Sequence, residues 1–233
     1  MQDQKPEPGF SELFLLVLGY ALLVYCEHCT KKILIQFGYL NPTPDFSLFD
    51  MLRSFLNDFI FFAMLFYFAC FRSARSFREA FSFRKVSASD ALAALLSGFL
   101  TAVFCIYLMS FVEVEETFID RVTSGFYGML FFTLNGSLIA PFLEELFFRG
   151  FLFGILRNKL KPVSTVAVVA FTFWLMHFYQ TSGNPPALAM LAALSLIVTV
   201  QRQISGSLIP SLITHYSYNI FLIGTTLILM WMN

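Results

Sequence analysis

The chain has 233 residues, of which 58% are hydrophobic and 13% are charged, and its formal net charge is zero. A soluble domain carries about twice this charged fraction, so the composition predicts a polytopic membrane protein. The zero net charge, together with the lack of a basic face or a recognised motif, argues against nucleic acid as a partner.

The N-terminal segment, residues 1–9, contains acidic as well as basic residues, and no small-residue cleavage site follows the first apolar run. These features differ from those of a cleavable signal peptide. We therefore interpret the first apolar run as the first transmembrane helix.

Seven segments are apolar enough to be candidate spans, because a transmembrane helix needs about 20 mostly apolar residues. They are approximately residues 10–29, 51–71, 88–112, 124–156, 162–179, 186–200 and 204–231. The fourth is too long for one straight span, and Pro141 is expected to kink it or to break it into two pieces. The predicted fold is an all-α helical membrane bundle of about seven transmembrane helices.

Basic residues in the connections predict the orientation, because lysine and arginine are enriched in cytoplasmic loops. If the helices alternate in direction, ten basic residues share one side: Lys5, Arg72, Arg75, Arg78, Arg84, Lys85, Arg157, Lys159, Lys161 and Arg202. The other side has Lys31, Lys32 and Arg121 with an acidic run within residues 113–120. The N-terminus is therefore predicted to be cytoplasmic and the C-terminus to lie outside.

The cysteines give little sign of a metal or redox site. Cys26 and Cys29 have CxxC spacing, but no second pair of ligands at similar spacing accompanies them, as a structural zinc site would need. Cys70 and Cys105 fall in apolar spans, where we interpret them as small buried hydrophobic side chains.

Two glutamates and an arginine lie within an otherwise apolar stretch of the fourth span, as Glu144, Glu145 and Arg149. Ionisable groups at membrane depth are costly, so they indicate a functional site by default. Glu145 and Arg149 have the favourable i,i+4 spacing with the acid first, which predicts a buried ion pair. Neighbouring helical residues diverge by about 100°, so Glu144 is left as the freer carboxylate and candidate general base. Pairing of Arg149 with Glu144 stays open as the alternative.

Two later spans carry polar side chains of catalytic type, His177 in one and His215 with Asn219 in the other. At ~1.5 Å per residue, Glu144, His177 and His215 lie roughly 20, 22 and 17 Å from the predicted inner boundary. Taken singly, each has a structural interpretation, as a buried core histidine or a helix–helix hydrogen bond. Their matched depth on helices of alternating direction instead predicts one shared site.

The residue types in this shared site point to hydrolysis. A buried carboxylate paired with His177 is suited to orient and deprotonate a water molecule. His215 and Asn219 lie on one helix face and can donate hydrogen bonds to a developing oxyanion. A zinc mechanism is the alternative, with Glu144, His177 and His215 as ligands. The HExxH helix of many zinc proteases is absent from the sequence, and we favour a mechanism without a cofactor.

Three motifs in this order resemble those of the CAAX prenyl protease and bacteriocin-processing family, also called the Abi family. The resemblance covers about residues 123–225. The segment Glu144-Glu-Leu-Phe-Phe-Arg149 is similar to the EExxxR motif, Phe173-Trp-Leu-Met-His177 to the FxxxH motif and His215-Tyr-Ser-Tyr-Asn219 to the HxxxN motif.

This resemblance implies an intramembrane endopeptidase, and it leaves open whether the family works with a glutamate or a metal. It also implies a role for each motif residue. By this resemblance, Glu144 and His177 activate water, and His215 and Asn219 form the oxyanion site. Glu145 and Arg149 support these groups.

The expected partners are the lipid bilayer and a substrate that is a peptide or a C-terminal segment of a membrane-associated protein. The compact sequence suggests a bacterial inner-membrane protein, for which prenylated substrates are not expected. Residues 1–122 are then an N-terminal three-helix region and residues 123–233 the catalytic core, in one integrated domain.

Two other functions compete with the protease. A non-catalytic immunity or scaffold protein could use the same fold to bind a peptide or a partner. A small transporter could use a buried carboxylate as a proton carrier. That last class predicts inverted repeats and broken helices in both halves, which the sequence does not show.

Overall fold

The computed structural model describes residues 7–39, 46–112, 122–123, 125–181 and 184–232. Lys5, Arg121 and the acidic run within residues 113–120 lie outside the described residues. Within the described ranges the regular structure is helical and contains no β-strand, which confirms the predicted all-α fold.

The structure contains ten α-helices among the residues it describes. The α-helices are α1 (Phe10–Gln36), α2 (Leu48–Phe66), α3 (Phe77–Ala80), α4 (Ala88–Met109), α5 (Phe126–Leu134), α6 (Ala140–Glu145), α7 (Phe153–Arg157), α8 (Pro162–Thr181), α9 (Pro185–Ser205) and α10 (Ile209–Met232). Three π-helical segments continue these paths: Tyr67–Phe71 after α2, Asn135–Ile139 between α5 and α6, and Leu146–Leu152 between α6 and α7.

Several of these helices can cross a membrane. In the described part of the chain, the five that are long and apolar enough are Phe10–Gln36, Leu48–Phe71, Ala88–Met109, Pro185–Ser205 and Ile209–Leu229. A shorter apolar stretch, Pro162–Phe178, lies in α8. The membrane bundle is therefore confirmed, whereas the count of seven spans stays a prediction.

The outer surface of the long helices is apolar. Large side chains such as Phe14, Leu52, Leu100 and Ile228 are exposed rather than packed against other helices. Water-soluble monomers rarely leave such extended apolar patches uncovered, so this surface is suited to contact with lipid.

Local capping explains where several helices begin and end. The Ser47 hydroxyl accepts a hydrogen bond from the Asp50 backbone N–H, and the Asp50 carboxylate accepts one from the Ser47 N–H, which forms a capping box for α2. The Asn184 side chain caps α9, which begins with two prolines. Gly206 ends α9 in the left-handed region with φ 64°, which favours glycine.

The helical path continues through Pro141 and does not break into two pieces there. In the preceding π-helical segment the Ala140 N–H donates to the Asn135 carbonyl, five residues earlier. The next bond in this register would run from residue 141 to the Gly136 carbonyl, but proline has no N–H. The Asn219 side chain donates to that carbonyl instead, over 2.8 Å. A donor from α10 thus satisfies the carbonyl that Pro141 leaves open.

Helix α4 packs closely along α10. The Thr214 hydroxyl donates to the Ala94 carbonyl over 2.9 Å, and the Ser217 hydroxyl donates to the Leu95 carbonyl over 2.8 Å. A Cβ atom added to Gly98 would lie 2.1 Å from the Thr214 carbonyl oxygen. Small residues at such crossings allow membrane helices to approach and to exchange hydrogen bonds.

Polar side chains in the first two spans pair between helices. Asn57 Nδ2 donates to Glu27 over 2.6 Å, and Asn135 donates to the Asp58 carboxylate. Lys31 forms an ion pair of 2.6 Å with Asp50, which offsets one of the three positive charges predicted on the outer side. These contacts support helix packing as the role of these polar residues.

The three basic connections meet at one end of the bundle. Arg75 and Arg84 come from the connection before α4, Arg157 ends α7 and Arg202 lies near the end of α9, yet all four line one cavity. This arrangement agrees with the predicted alternation of the helices. We call this region the basic end; its location on the cytoplasmic side stays a prediction.

The contact of α4 with α10 leads to a stability prediction. Gly98→Ala is expected to destabilise the protein by about 1–3 kcal/mol, because the added methyl group forces the helices apart. The measurement is the thermal unfolding midpoint in detergent. Gly154→Ala is the control, since a Cβ atom there meets nothing within 4 Å. Equal midpoints for the two variants would contradict the predicted close approach.

Candidate active site

Three side chains from three helices converge on one cavity of the helical bundle. Glu144 lies near the end of α6, His177 in the last turn but one of α8, and His215 in the first half of α10. Glu144 Oε1 is 3.4 Å from His177 Nε2, and Glu144 Oε2 is 3.7 Å from His215 Nε2. The structure thus brings together the residues whose matched depth predicted a shared site.

The hydrogen bonds of the two histidines determine which ring nitrogens face Glu144. His177 Nδ1 lies 2.8 Å from the Phe173 carbonyl, and His215 Nδ1 lies 2.9 Å from Glu145 Oε1. A carbonyl and a carboxylate only accept hydrogen bonds, so both Nδ1 atoms carry a proton. If the rings are neutral, each Nε2 is an acceptor, and it faces an oxygen of the Glu144 carboxylate, which is also an acceptor. A proton on one Nε2, or a water molecule that donates to these groups, makes the arrangement favourable.

Glu145 and Arg149 form the predicted ion pair. Arg149 Nη1 lies 2.9 Å from Glu145 Oε1, and both side chains are fully buried. The same oxygen accepts the hydrogen bond from His215 Nδ1. The Arg149 guanidinium also stacks over the Phe173 ring, 4.3 Å from its centroid. Glu145 therefore links the buried arginine to the histidine and fixes the orientation of the His215 ring.

Two hydroxyl side chains of α9 complete the environment of Arg149, and the sequence analysis missed both. Arg149 Nη2 donates to Ser195 Oγ over 3.0 Å and to the Ser195 carbonyl over 3.1 Å, while Nε donates to Thr199 Oγ1 over 3.1 Å. Ser195 Oγ in turn donates to the Ala170 carbonyl of α8. The sequence feature that could have indicated them is the i,i+4 spacing of the two hydroxyls on one face of an apolar span.

Exposure separates the two adjacent glutamates. The Glu144 side chain is 26% exposed, whereas that of Glu145 is 0% exposed. Glu144 lines a cavity of about 420 Å³ together with His177, His215 and Asn219. Glu144 is therefore the carboxylate that a bound molecule can reach, as the sequence predicted from the divergence of neighbouring helical side chains.

The walls of this cavity are mostly apolar. They include Phe131, Phe132, Leu191, Leu222 and Ile223. Arg53 also lines the cavity and was missed by the sequence analysis; it lies 3.3 Å from Glu27 and 3.6 Å from Asp50. An apolar cavity with a few convergent polar groups is typical of a ligand site.

Asn219 lines the cavity but also has a structural contact. Its Nδ2 donates one hydrogen bond to the Gly136 carbonyl, as described above for the Pro141 region. A side-chain amide has a second N–H and a carbonyl oxygen. The helix–helix bond is thus present, and the contribution of Asn219 to an oxyanion site stays a prediction.

The suitability of the site for zinc can be judged from its donors. Glu144, His177 and His215 are the right residue types, and both Nδ1–H groups are held by acceptors, as in metal-bound histidines. In the described ranges, however, no group of three or more His, Cys, Asp and Glu side chains has the arrangement of a formed metal site. Cys26 and Cys29 are free thiols.

The Arg149 environment predicts the effect of one substitution. Ser195→Ala is expected to cost about 1–3 kcal/mol of stability, because Arg149 Nη2 loses an acceptor at a buried position. The thermal unfolding midpoint in detergent measures this loss. Ser97→Ala is the control, because the exposed Ser97 hydroxyl donates only to the Ala93 carbonyl of its own helix. If the two variants unfold at the same temperature, the Ser195 contact does not stabilise the site.

Comparison with known proteins identifies the segment that carries this site. Residues 125–221 match the sequence model of the family described as type II CAAX prenyl endopeptidase Rce1-like. No curated protein and no solved structure matches the chain. The resemblance to the CAAX prenyl protease and bacteriocin-processing family, predicted from three short motifs, is therefore confirmed over residues 125–221.

Proposed function

We propose that the protein is an intramembrane endopeptidase in which Glu144 and His177 activate a water molecule for attack on a peptide carbonyl. The contact between Glu144 Oε1 and His177 Nε2, at 3.4 Å within the apolar cavity, carries this proposal. The match to a family of prenyl endopeptidases supports protease chemistry. General bases are often further from their partners before substrate binds than during reaction.

The proton movements follow from the contacts of the two side chains. His177 holds its proton on Nδ1 against the Phe173 carbonyl, so its Nε2 can accept a hydrogen bond from the attacking water. Glu144 takes a proton from that water as the oxygen bonds to the carbonyl carbon. Glu144 then returns the proton to the leaving amine when the carbon–nitrogen bond breaks. The products are a new carboxyl terminus and a new amino terminus.

The tetrahedral intermediate carries a negatively charged oxygen that needs hydrogen-bond donors. We assign this role to His215 and Asn219. His215 can donate through Nε2 only when both ring nitrogens carry protons, and its Nδ1 already donates to the Glu145 carboxylate. Asn219 retains one N–H beyond the one bound to Gly136.

The cavity walls guide the choice of substrate class. Phenylalanine and aliphatic side chains surround the polar groups, which suits a peptide segment with apolar side chains. The proposed substrate is therefore a peptide or a C-terminal segment of a membrane-associated protein. The proposed location is the bacterial inner membrane, with the N-terminus in the cytoplasm.

Glu144→Gln is expected to lower cleavage by about 10²–10⁴-fold, because the amide cannot accept the proton from water. The measurement is mass spectrometry of membrane-protein and secreted-peptide termini in native cells at equal expression. Glu12→Gln is the matched control, since Glu12 pairs with Arg72 and does not line the cavity. If the Glu144→Gln and wild-type profiles coincide where the protein is needed, the non-catalytic immunity or scaffold function replaces the protease.

The metal-free mechanism predicts that cleavage by the purified protein survives prolonged dialysis against a zinc chelator. Elemental analysis is expected to find far less than one zinc per chain. The control is the Cys26→Ser, Cys29→Ser double variant, which excludes zinc bound by the CxxC pair. Loss of activity on chelation, recovery with added zinc, and loss of that zinc in His177→Ala would establish the zinc mechanism instead.

A further inference from the structure

A second cavity lies at the basic end and shares no lining residue with the candidate active site. Its volume is about 220 Å³, which is large compared with the roughly 30 Å³ that one water molecule occupies in the liquid. Its charged lining residues are Glu7, Arg75, Glu79, Arg84, Arg157 and Arg202.

The cavity has more positive than negative charge. Arg75 forms an ion pair of 2.7 Å with Glu7, so these two charges offset each other. Three arginines then remain, at positions 84, 157 and 202, against the one carboxylate of Glu79. In the part of the chain that the structure describes, none of the three arginines forms an ion pair. Three guanidinium groups around one cavity repel each other unless an anion lies between them.

Arg202 is the buried member of this group. Its side chain is 1% exposed, its Nε donates to the Arg149 carbonyl over 2.9 Å, and its guanidinium stacks over Phe153. Its Nη1 is buried and has no hydrogen-bond partner among the described residues. A buried charged donor without an acceptor is costly, so Arg202 adds an unbalanced positive charge to the lining of this cavity.

We infer that this cavity binds a phosphate group, carried either by the headgroup of a phospholipid or by free inorganic phosphate. Arg84, Arg157 and Arg202 are its proposed ligands. Guanidinium groups match the geometry of phosphate oxygens and form charge-assisted hydrogen bonds with them. Basic pockets between membrane helices are known to hold lipid headgroups. This site does not depend on the proposed protease activity.

Binding at this cavity would also stabilise the segment that carries Arg149. Arg202 holds the Arg149 carbonyl through Nε, and that carbonyl belongs to the π-helical segment Leu146–Leu152. An anion that fixes the Arg202 side chain therefore restrains this segment from the basic end. The expected result of binding is a higher unfolding temperature of the whole protein.

The test measures the thermal unfolding midpoint of the purified full-length protein in a neutral detergent. Phosphatidylglycerol is one probe, and sodium phosphate, compared with sodium chloride at equal ionic strength, is the other. A ligand at ~100 times its dissociation constant is expected to raise the midpoint by about 5 °C or more. A shift with the lipid alone assigns the phosphate to a headgroup, and a shift with both probes shows that free phosphate suffices. No shift with either probe overturns the proposal.

Two double variants separate a specific site from general lipid effects. Arg84→Gln with Arg157→Gln removes two exposed side chains from the cavity and is expected to abolish the shift. Arg78→Gln with Lys85→Gln removes the same charge from exposed positions that do not line it, and the shift is expected to persist.

Native mass spectrometry gives a second reading of the same site. The wild type and the control variant are expected to retain one phosphatidylglycerol, and the cavity variant to retain it at least tenfold less. An equal response of the cavity variant and the wild type in both assays refutes the proposal.

Discussion

A buried arginine is the constraint on which the candidate active site depends. A guanidinium at membrane depth is tolerated only when its charge and its donors are satisfied. Arg149 meets this condition through Glu145, Ser195 and Thr199, which accept hydrogen bonds from Nη1, Nη2 and Nε. These contacts join the π-helical segment after α6 to α9, and Glu145 extends the connection to His215 on α10. The arrangement of the groups around Glu144 therefore depends on the ion pair and the hydrogen bonds that Arg149 needs.

The two adjacent glutamates have different surroundings because of helical geometry. Glu145 is turned into the protein, where Arg149 and His215 occupy one of its oxygens. Glu144, about 100° around the helix, faces the cavity and the Nε2 atoms of His177 and His215. One carboxylate thus stabilises the site while the other remains accessible to water and substrate.

The sequence predicted the central charged groups of the site, although it did not indicate Arg53 in the cavity wall. The ion pair of Glu145 with Arg149 followed from i,i+4 spacing, and the convergence of Glu144 with the two histidines followed from matched depth. Charges at membrane depth require partners, so their spacing constrains the fold. The apolar composition of the chain likewise predicted the all-α membrane bundle.

Other features could not be predicted, because they depend on contacts between distant segments. Ser195 and Thr199 are inexpensive in an apolar span, where each can bond to its own helix, so their i,i+4 spacing does not by itself identify Arg149 as their partner. The π-helical register before Pro141 depends on a donor from α10, since Asn219 satisfies the Gly136 carbonyl. The sequence predicted that the fourth span would kink or break at Pro141. The path of this span depends instead on a tertiary hydrogen bond between Asn219 and the Gly136 carbonyl.

The two cavities have different linings. Arginines gather at the basic end, whereas the cavity that holds Glu144 is mostly apolar and contains the two histidines. The central claim of this account is that Glu144 activates water for peptide hydrolysis. The most direct test is cleavage of a membrane peptide by the purified protein in liposomes prepared in ¹⁸O-labelled water. The account predicts one ¹⁸O atom in the new carboxyl terminus with the wild type and almost no product with Glu144→Gln. Cleavage at an equal rate by Glu144→Gln would contradict it.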